Sequence, residues 1–106
     1  MIGVIVTFDC AGNFDRERVI KIASDFHGMF EGMPGLRSKV FTFDEKQQRV
    51  ANFYVWESRE PAEAFFTDEV RELVTGLYGA EPTIEFVEIA EIVDNFATQR
   101  LPQAGG

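Results

Sequence analysis

Three residues on one predicted strand have the side chains best suited to chemistry. Asn52, Tyr54 and Trp56 occupy every second position of the β-prone run Val50–Trp56, and side chains at every second position of a strand share one face. An amide, a phenol and an indole on one face can bind a flat aromatic molecule, because the rings stack and the polar tips orient its oxygens. Alternatively, Tyr54 and Trp56 are core aromatics and Asn52 is a rim residue. Both faces of this strand are apolar enough to be buried, so the sequence leaves open which face they occupy.

His27 is the only histidine in the chain, and histidine is the usual proton-transfer side chain near neutral pH. It lies close to the end of the first predicted helix, beside the apolar stripe. The alternative is therefore an exposed, idle cation at the negative end of that helix. Arg37 and Lys39 are two positions apart on a predicted strand, and we expect them to point the same way. There they would receive an anion or pair with nearby acids.

The composition bounds the remaining possibilities. The chain has 106 residues, room for one domain, with 10 Lys and Arg against 18 Asp and Glu and a formal net charge of −8. That balance argues against a nucleic-acid partner, which requires a basic face. A single Cys and a single His exclude an internal disulfide and a metal site built from several such ligands, so we expect no metal.

No apolar run approaches the ~20 residues of a membrane span. Since no basic signal-like segment opens the sequence, we expect a cytoplasmic protein without a membrane partner.

Apolar periodicity predicts an alternating series of elements. Runs of period two predict strands, and spacings of three and four predict helices. The predicted strands are Ile2–Phe8, Leu36–Phe43, Arg49–Glu57 and Thr83–Asp94; the predicted helices are Asp15–Glu31 and a pair, Glu60–Phe66 and Asp68–Thr75, split by a fresh N-cap at Thr67. The order β-α-β-β-α-β predicts a ferredoxin-like α+β fold, an antiparallel sheet with helices on one face. We expect one domain over residues 1–96 and a flexible tail over 97–106.

Two features of this arrangement concern the second face of the sheet. The apolar parity of the last predicted strand switches between Phe86 and Val87, which suggests a β-bulge or two halves in different environments. A sheet covered by helices on one face also leaves an apolar face to hide, so we expect a homodimer. The alternative is a monomer with a polar open face.

Two short passages resemble a known family. They are the turn Met33-Pro34-Gly35-Leu36 and the passage Tyr54-x-Trp56-Glu57-Ser58 leading to Ala62-x-Ala64-Phe65. The chain is similar, from Ile2 to about Asp94, to the antibiotic-biosynthesis monooxygenase (ABM)-like group of dimeric α/β-barrel proteins. It is particularly similar to the branch of small monooxygenase-like proteins typified by YdhR.

The resemblance implies a homodimer in which two sheets close into a barrel and the last strand reaches the partner. It also implies oxidation of a small aromatic or polyphenolic, quinol-type substrate by O2 without a cofactor: no metal, flavin or haem. Asn52 and Trp56 match the Asn-x-x-x-Trp spacing of the family's third strand, so Asn52 would hydrogen-bond a substrate oxygen while Trp56 and Tyr54 hold the ring. His27 would accept a proton.

The apolar helix residues Phe26, Phe30 and Phe65 are the remaining expected substrate contacts. This hypothesis requires a pocket of roughly 300 Å³ or more between sheet and helices. An alternative is a non-catalytic, small-molecule-binding or stress-related dimer of the same fold. A third possibility is an interaction domain with no pocket, which contacts its partner through the acidic surface.

Overall fold

The apolar patterns fold into the predicted types of element in the predicted order. A computed structural model describes residues 1–95 of the chain. Within them the strands are β1 (Ile2–Asp9), β2 (Leu36–Asp44), β3 (Arg49–Trp56) and β4 (Pro82–Glu88), and the helices are α1 (Arg16–Phe30), α2 (Arg59–Phe65) and α3 (Asp68–Tyr78). The predicted tail at 97–106 lies outside the described residues.

The four strands form one antiparallel sheet in the order β2-β3-β1-β4. The central pair has an unbroken register from Ile2 opposite Trp56 to Asp9 opposite Arg49. β2 and β3 form the predicted hairpin, because the four residues between Asp44 and Arg49 are the length of an ordinary hairpin connection. The ferredoxin-like α+β fold is therefore confirmed.

The core lies between the sheet and the helices. Even-numbered side chains of β1 and β3 point towards the helices and are buried, among them Val4, Phe8 and Val50. They pack in one cluster with Val19 of α1 and the helix residues around it. The odd-numbered side chains lie on the opposite face, which we call the outer face.

Helix ends follow local capping chemistry. The Asp15 carboxylate accepts hydrogen bonds from two backbone N–H groups in the first turn of α1, satisfying donors that have no partner within the helix. Thr67 caps α3 in the same way, which confirms two helices rather than one rod. α3 runs three residues beyond the predicted Thr75, to Tyr78, and ends where Gly79 adopts a left-handed conformation.

The last strand is shorter than predicted, and of the two explanations for its parity switch the bulge is wrong: Ile84 and Phe86 pack on the helix-facing core, whereas Val87 lies beside Gly3 on the outer face. β4 ends at Glu88 instead of Asp94, and its pairing with β1 is regular throughout. β4 ends where β1 begins: Glu88 pairs with Ile2, the first residue of β1, and the N–H of Ile89 donates to the carbonyl of Met1.

The bulge lies instead at the start of β2, between Leu36 and Ser38. One extra residue there reverses the alternation of the strand. Lys39 consequently points towards the helices, while Arg37, the extra residue, borders both an outer-face recess with Phe53 and Val55 and a recess that also includes Lys39. Arg37 and Lys39 therefore do not follow the regular alternation of a strand, although they border one common recess.

Candidate functional site

The strand β3 carries the three predicted site residues on its helix-facing side. Asn52, Tyr54 and Trp56 are all buried, with 3 %, 3 % and 1 % of their surface exposed. Their face, which the sequence left open, is thus the one that packs against the helices. Asn52 is the one buried polar or charged residue within positions 1–95, so it is the residue whose burial most requires an explanation.

A cavity lies between this face and the helices. Its wall includes five predicted site residues, which are Phe26 and Phe30 of α1, Asn52 and Tyr54 of β3, and Phe65 of α2. The structure thus brings the amide, one phenol and the helical phenylalanines together around one space.

The cavity is narrow. Its volume is about 40 Å³, which is enough for a few water molecules and well below the roughly 300 Å³ expected of a ligand pocket. Met29 and Leu73 belong to the wall and are 47 % and 50 % exposed, so they form its mouth. An aromatic ligand requires these flexible side chains to move aside.

Asn52 makes one side-chain hydrogen bond, and its second polar atom is unpaired. Its Nδ2 donates to the hydroxyl oxygen of Tyr78 at 3.4 Å, whereas its buried Oδ1 has no partner among the described residues. Leaving a buried amide oxygen unpaired costs about 1–3 kcal/mol. A ligand that donates a hydrogen bond to Oδ1 would remove that cost.

Two phenols flank the amide. Burial, together with the nearby Tyr78, raises the pKa of Tyr54 above its ordinary value. Burial also raises the pKa of Tyr78, against the opposing effect of its hydrogen bond with Asn52. Both groups are therefore protonated at neutral pH and available as hydrogen-bond donors. Sequence reasoning missed Tyr78 because it ended α3 at Thr75.

Lys39 is the cationic group on the sheet side of the cavity. Its Nζ lies 3.6 Å from the ring centroid of Phe30, 4.0 Å from that of Phe41 and 4.4 Å from that of Tyr54. Burial lowers the pKa of Lys39 to about 7, since removing an ammonium from water disfavours its charged form. Sequence reasoning missed this placement, although Lys39 is in phase with Phe41 and Phe43 along the strand.

Trp56 lies behind the cavity. Its ring stacks on Tyr54, with centroids 6.2 Å apart and planes 11° apart, and approaches Phe65 at 5.6 Å. The cavity wall, as formed by residues 1–95, does not include Trp56, and its Nε1 has no partner within that part of the chain. In this conformation Trp56 supports Tyr54 and does not touch the cavity; its catalytic role stays a prediction.

His27 is not brought together with Asn52. It is exposed on α1 and lines a separate surface recess with Glu31 and Arg37. Phe30, Lys39 and Phe41 belong to both spaces, so they form the wall between His27 and the cavity. Proton transfer by His27 stays a prediction too.

Residues 1–95 provide neither a metal-ligand cluster nor a membrane-spanning helix. No group of three or more His, Cys, Asp or Glu side chains in that range is arranged to hold a metal ion. None of the helices in the same range is both long and apolar enough to span a bilayer.

No protein-family model and no curated protein matches the sequence. Solved structures do resemble the fold. An antibiotic biosynthesis monooxygenase is 14 % identical, with a TM-score of 0.57 over 86 % of this chain and 100 % of that one. The monooxygenase from the gene ActVA-Orf6 of Streptomyces coelicolor, in complex with the ligand nanaomycin D, is 19 % identical, with a TM-score of 0.58 over 88 % of this chain and 90 % of that one.

A variant of SnoaB, a cofactor-independent oxygenase from Streptomyces nogalater, is 9 % identical, with a TM-score of 0.63 over 87 % of this chain and 95 % of that one. At identities this low the shared feature is the fold. The chain therefore has the ferredoxin-like fold found in antibiotic biosynthesis monooxygenases.

Proposed function

We propose that this protein is a monooxygenase of the ABM-like family that oxidises a small aromatic, quinol-type substrate with O2 and without metal, flavin or haem. The observation that carries the proposal is the unpaired amide oxygen of Asn52 in an aromatic-walled cavity. The fold shared with a cofactor-independent oxygenase and with a monooxygenase in complex with nanaomycin D supports the same class of reaction. We also propose that the chain belongs to the YdhR-like branch, on the Met33–Leu36 turn and the Tyr54–Phe65 passage.

In the proposed reaction the substrate itself supplies the electrons. A deprotonated polyphenol is electron-rich enough to pass an electron to O2, and the two radicals then combine. For an anthrone, the ring CH2 becomes C=O while the second oxygen atom leaves as water, so one O2 is consumed for each product. The protein binds the substrate, stabilises its anion and excludes bulk water.

The cavity provides groups for these tasks. Asn52 Oδ1 accepts a hydrogen bond from a substrate hydroxyl, and the protonated phenols of Tyr54 and Tyr78 donate to a developing oxyanion. Phe26, Phe30 and Phe65 bind the ring faces. Trp56 holds Tyr54 in place, and His27 would take up a proton at the surface.

Oxygen consumption tests this proposal. Wild-type protein, Asn52→Ala and Trp56→Phe are compared with a panel of hydroquinones and anthrones, after circular dichroism has shown that each protein is folded. We expect wild-type turnover and a loss in Asn52→Ala. Equal rates in the three proteins would remove these residues from the mechanism.

The second candidate is a non-catalytic, small-molecule-binding or stress-related dimer that uses the same aromatic-walled cavity. This candidate predicts that the wild-type protein binds aromatic compounds but consumes no oxygen with any quinol in the panel. The same panel, read by both calorimetric binding and an oxygen electrode, separates the two functions.

We also propose that the protein forms a homodimer through the outer face of the sheet. Val40 and Phe53 are 51 % and 36 % exposed there, beside the half-buried Ile5 and Val87. A contiguous apolar face of this kind favours association with a second copy. Light scattering after gel filtration should give a dimer for the wild type and a monomer for Phe53→Glu. The control Leu73→Glu, on the helix side, should stay dimeric; a monomeric wild type would contradict the proposal.

A further inference from the structure

Lys39 is a cation placed among aromatic rings without an acidic partner. In the part of the chain that the structure describes, the ion pairs are Arg16 with Glu45, Lys21 with Asp25 and Arg59 with Glu63, all on the surface. The chain has 18 acidic residues, yet none of those described pairs with Lys39. Lys39 is half-buried, and a cation withdrawn from water normally has a negative partner, so the site lacks the group that would balance it.

The surrounding rings partly compensate the ammonium. Phe30, Phe41 and Tyr54 each present a face within 4.4 Å of Nζ, and cation–π contact stabilises the charged form. Desolvation still dominates, because the pKa of Lys39 is lowered to about 7. The amine is thus close to half protonated at neutral pH, and it can either accept a proton or hold an anion.

The register of the hairpin places Lys39 beside the amide of the site. Lys39 lies directly opposite Tyr54 on β3, and Asn52 is opposite Phe41. Lys39 and Asn52 are therefore diagonal neighbours on one face, which puts their Cα atoms about 7–8 Å apart, and both side chains line the same cavity. Once Met29 and Leu73 move aside, one aromatic ring with oxygens on both sides can reach both groups.

We propose that Lys39 is the proton acceptor and anion partner of the cavity, which therefore takes an acidic aromatic ligand, a phenol or enol. This inference rests on the proposed function, because it names the substrate class and the base of the same site. The O–H bond of the ligand breaks, its proton forms a new N–H bond on Nζ, and an ammonium–phenolate pair replaces two neutral groups. No oxidant takes part in this step.

The other titratable groups near the cavity are less suited than Lys39 to accept the proton of a ligand. Tyr54 and Tyr78 have raised pKa values and do not act as bases near neutral pH. The charged or titratable side chains that face Lys39 or its cavity from the packed elements are His27 and Glu31 of α1, Arg37 of β2 and Arg71 of α3. His27, Glu31 and Arg37 line the surface recess, whereas Arg71 lines the cavity and donates to the carbonyl of Pro82.

A binding experiment with a non-oxidisable ligand tests the inference separately from oxidation. 4-Nitrophenol and its methyl ether, 4-nitroanisole, are titrated into wild type, Lys39→Met and Lys46→Met, with visible absorbance reporting the phenolate. Lys46 lies in the exposed β2–β3 hairpin loop, so Lys46→Met is the matched control. The ether cannot lose a proton, so the ratio of the two affinities measures the acidic hydrogen alone.

We expect wild type and Lys46→Met to bind 4-nitrophenol as phenolate, below the pH at which the free compound ionises, and to prefer it to the ether. Lys39→Met should bind the neutral phenol and lose the preference by about tenfold to a hundredfold, the range of a charge-assisted hydrogen bond. An unchanged preference and phenolate spectrum in Lys39→Met would overturn the inference. Failure of the wild type to bind either compound would overturn it as well.

The two proposals can fail independently. If the wild type binds nitrophenolate through Lys39 but consumes no oxygen with any quinol, the base and its ligand class stand while the monooxygenase proposal falls. If Lys39→Met oxidises a quinol at the wild-type rate and with the wild-type pH profile, the monooxygenase proposal stands and the role of Lys39 falls.

Discussion

The burial of Lys39 makes the stability of the folded protein depend on pH. The pKa of Lys39 is about 7 in the folded state against an ordinary 10.5. Between these values the unfolded chain holds a proton that the folded chain has lost, so stability rises with pH. The penalty for burying the ammonium is fully present below about pH 7 and is relieved progressively towards pH 10.5.

The size of the effect follows from the linkage relation. One proton of difference changes the free energy of unfolding by about 1.4 kcal/mol per pH unit. Because Lys39 is still half protonated at the start, we expect a gain of about 1–2 kcal/mol between pH 7 and pH 8.5. The window closes there because the raised pKa values of Cys10, Tyr54 and Tyr78 act in the opposite direction at higher pH.

Urea denaturation at several pH values and one protein concentration measures this gain. The wild type and Lys46→Met should become more stable across the window, whereas Lys39→Met should show no such rise and should be the most stable of the three at pH 7. A wild-type stability that does not change between pH 7 and 8.5 would refute the reasoning, and so would the same slope in Lys39→Met.

Further predictions concern the backbone at Gly35, the helix N-caps and the thiol of Cys10. Gly35→Ala should destabilise the protein by at least about 1–2 kcal/mol in urea denaturation, because φ is +80° and an added Cβ would lie 2.6 Å from Pro61 Cβ; an unchanged midpoint would contradict this. Thr67→Ala should lower the free energy of unfolding by about 1 kcal/mol, and Ser58→Ala by much less, since only Thr67 makes a side-chain cap; equal losses would argue against the capping assignment. Cys10 is buried and its pKa is raised mainly by burial, so a thiol reagent should label it slowly in the folded protein and rapidly in urea. Fast labelling without urea would show that this turn opens readily.

Local periodicity was sufficient to predict the fold. The alternation in β1 and β3 and the three–four spacing in α1 each arise from one element meeting one core. The caps at Asp15 and Thr67 involve only neighbours in sequence, so they can be predicted from the sequence. The same reasoning correctly placed Asn52, Tyr54 and Trp56 on a single face.

The missed features depend on contacts between distant segments. β4 ends at Glu88, opposite Ile2 at the start of β1, and no pattern within residues 83–94 reveals where that partner strand begins. Side chains on one face of a strand also need not border the same cavity. Asn52 and Tyr54 border the cavity, whereas Trp56 lies at the end of β3, where the stacked Tyr54 and the neighbouring Phe65 separate it from that space.

The bulge at the start of β2 makes the cavity wall insensitive to one residue of chain length. Arg37 is the extra residue, so its loss would leave Leu36 opposite Trp56 and Ser38 opposite Val55. Lys39 and Val40 would then keep their present faces. A related chain can thus lack one residue at this point and still place the same side chains in the cavity. Alignments of related chains therefore need a gap at this position before residues of β2 are compared.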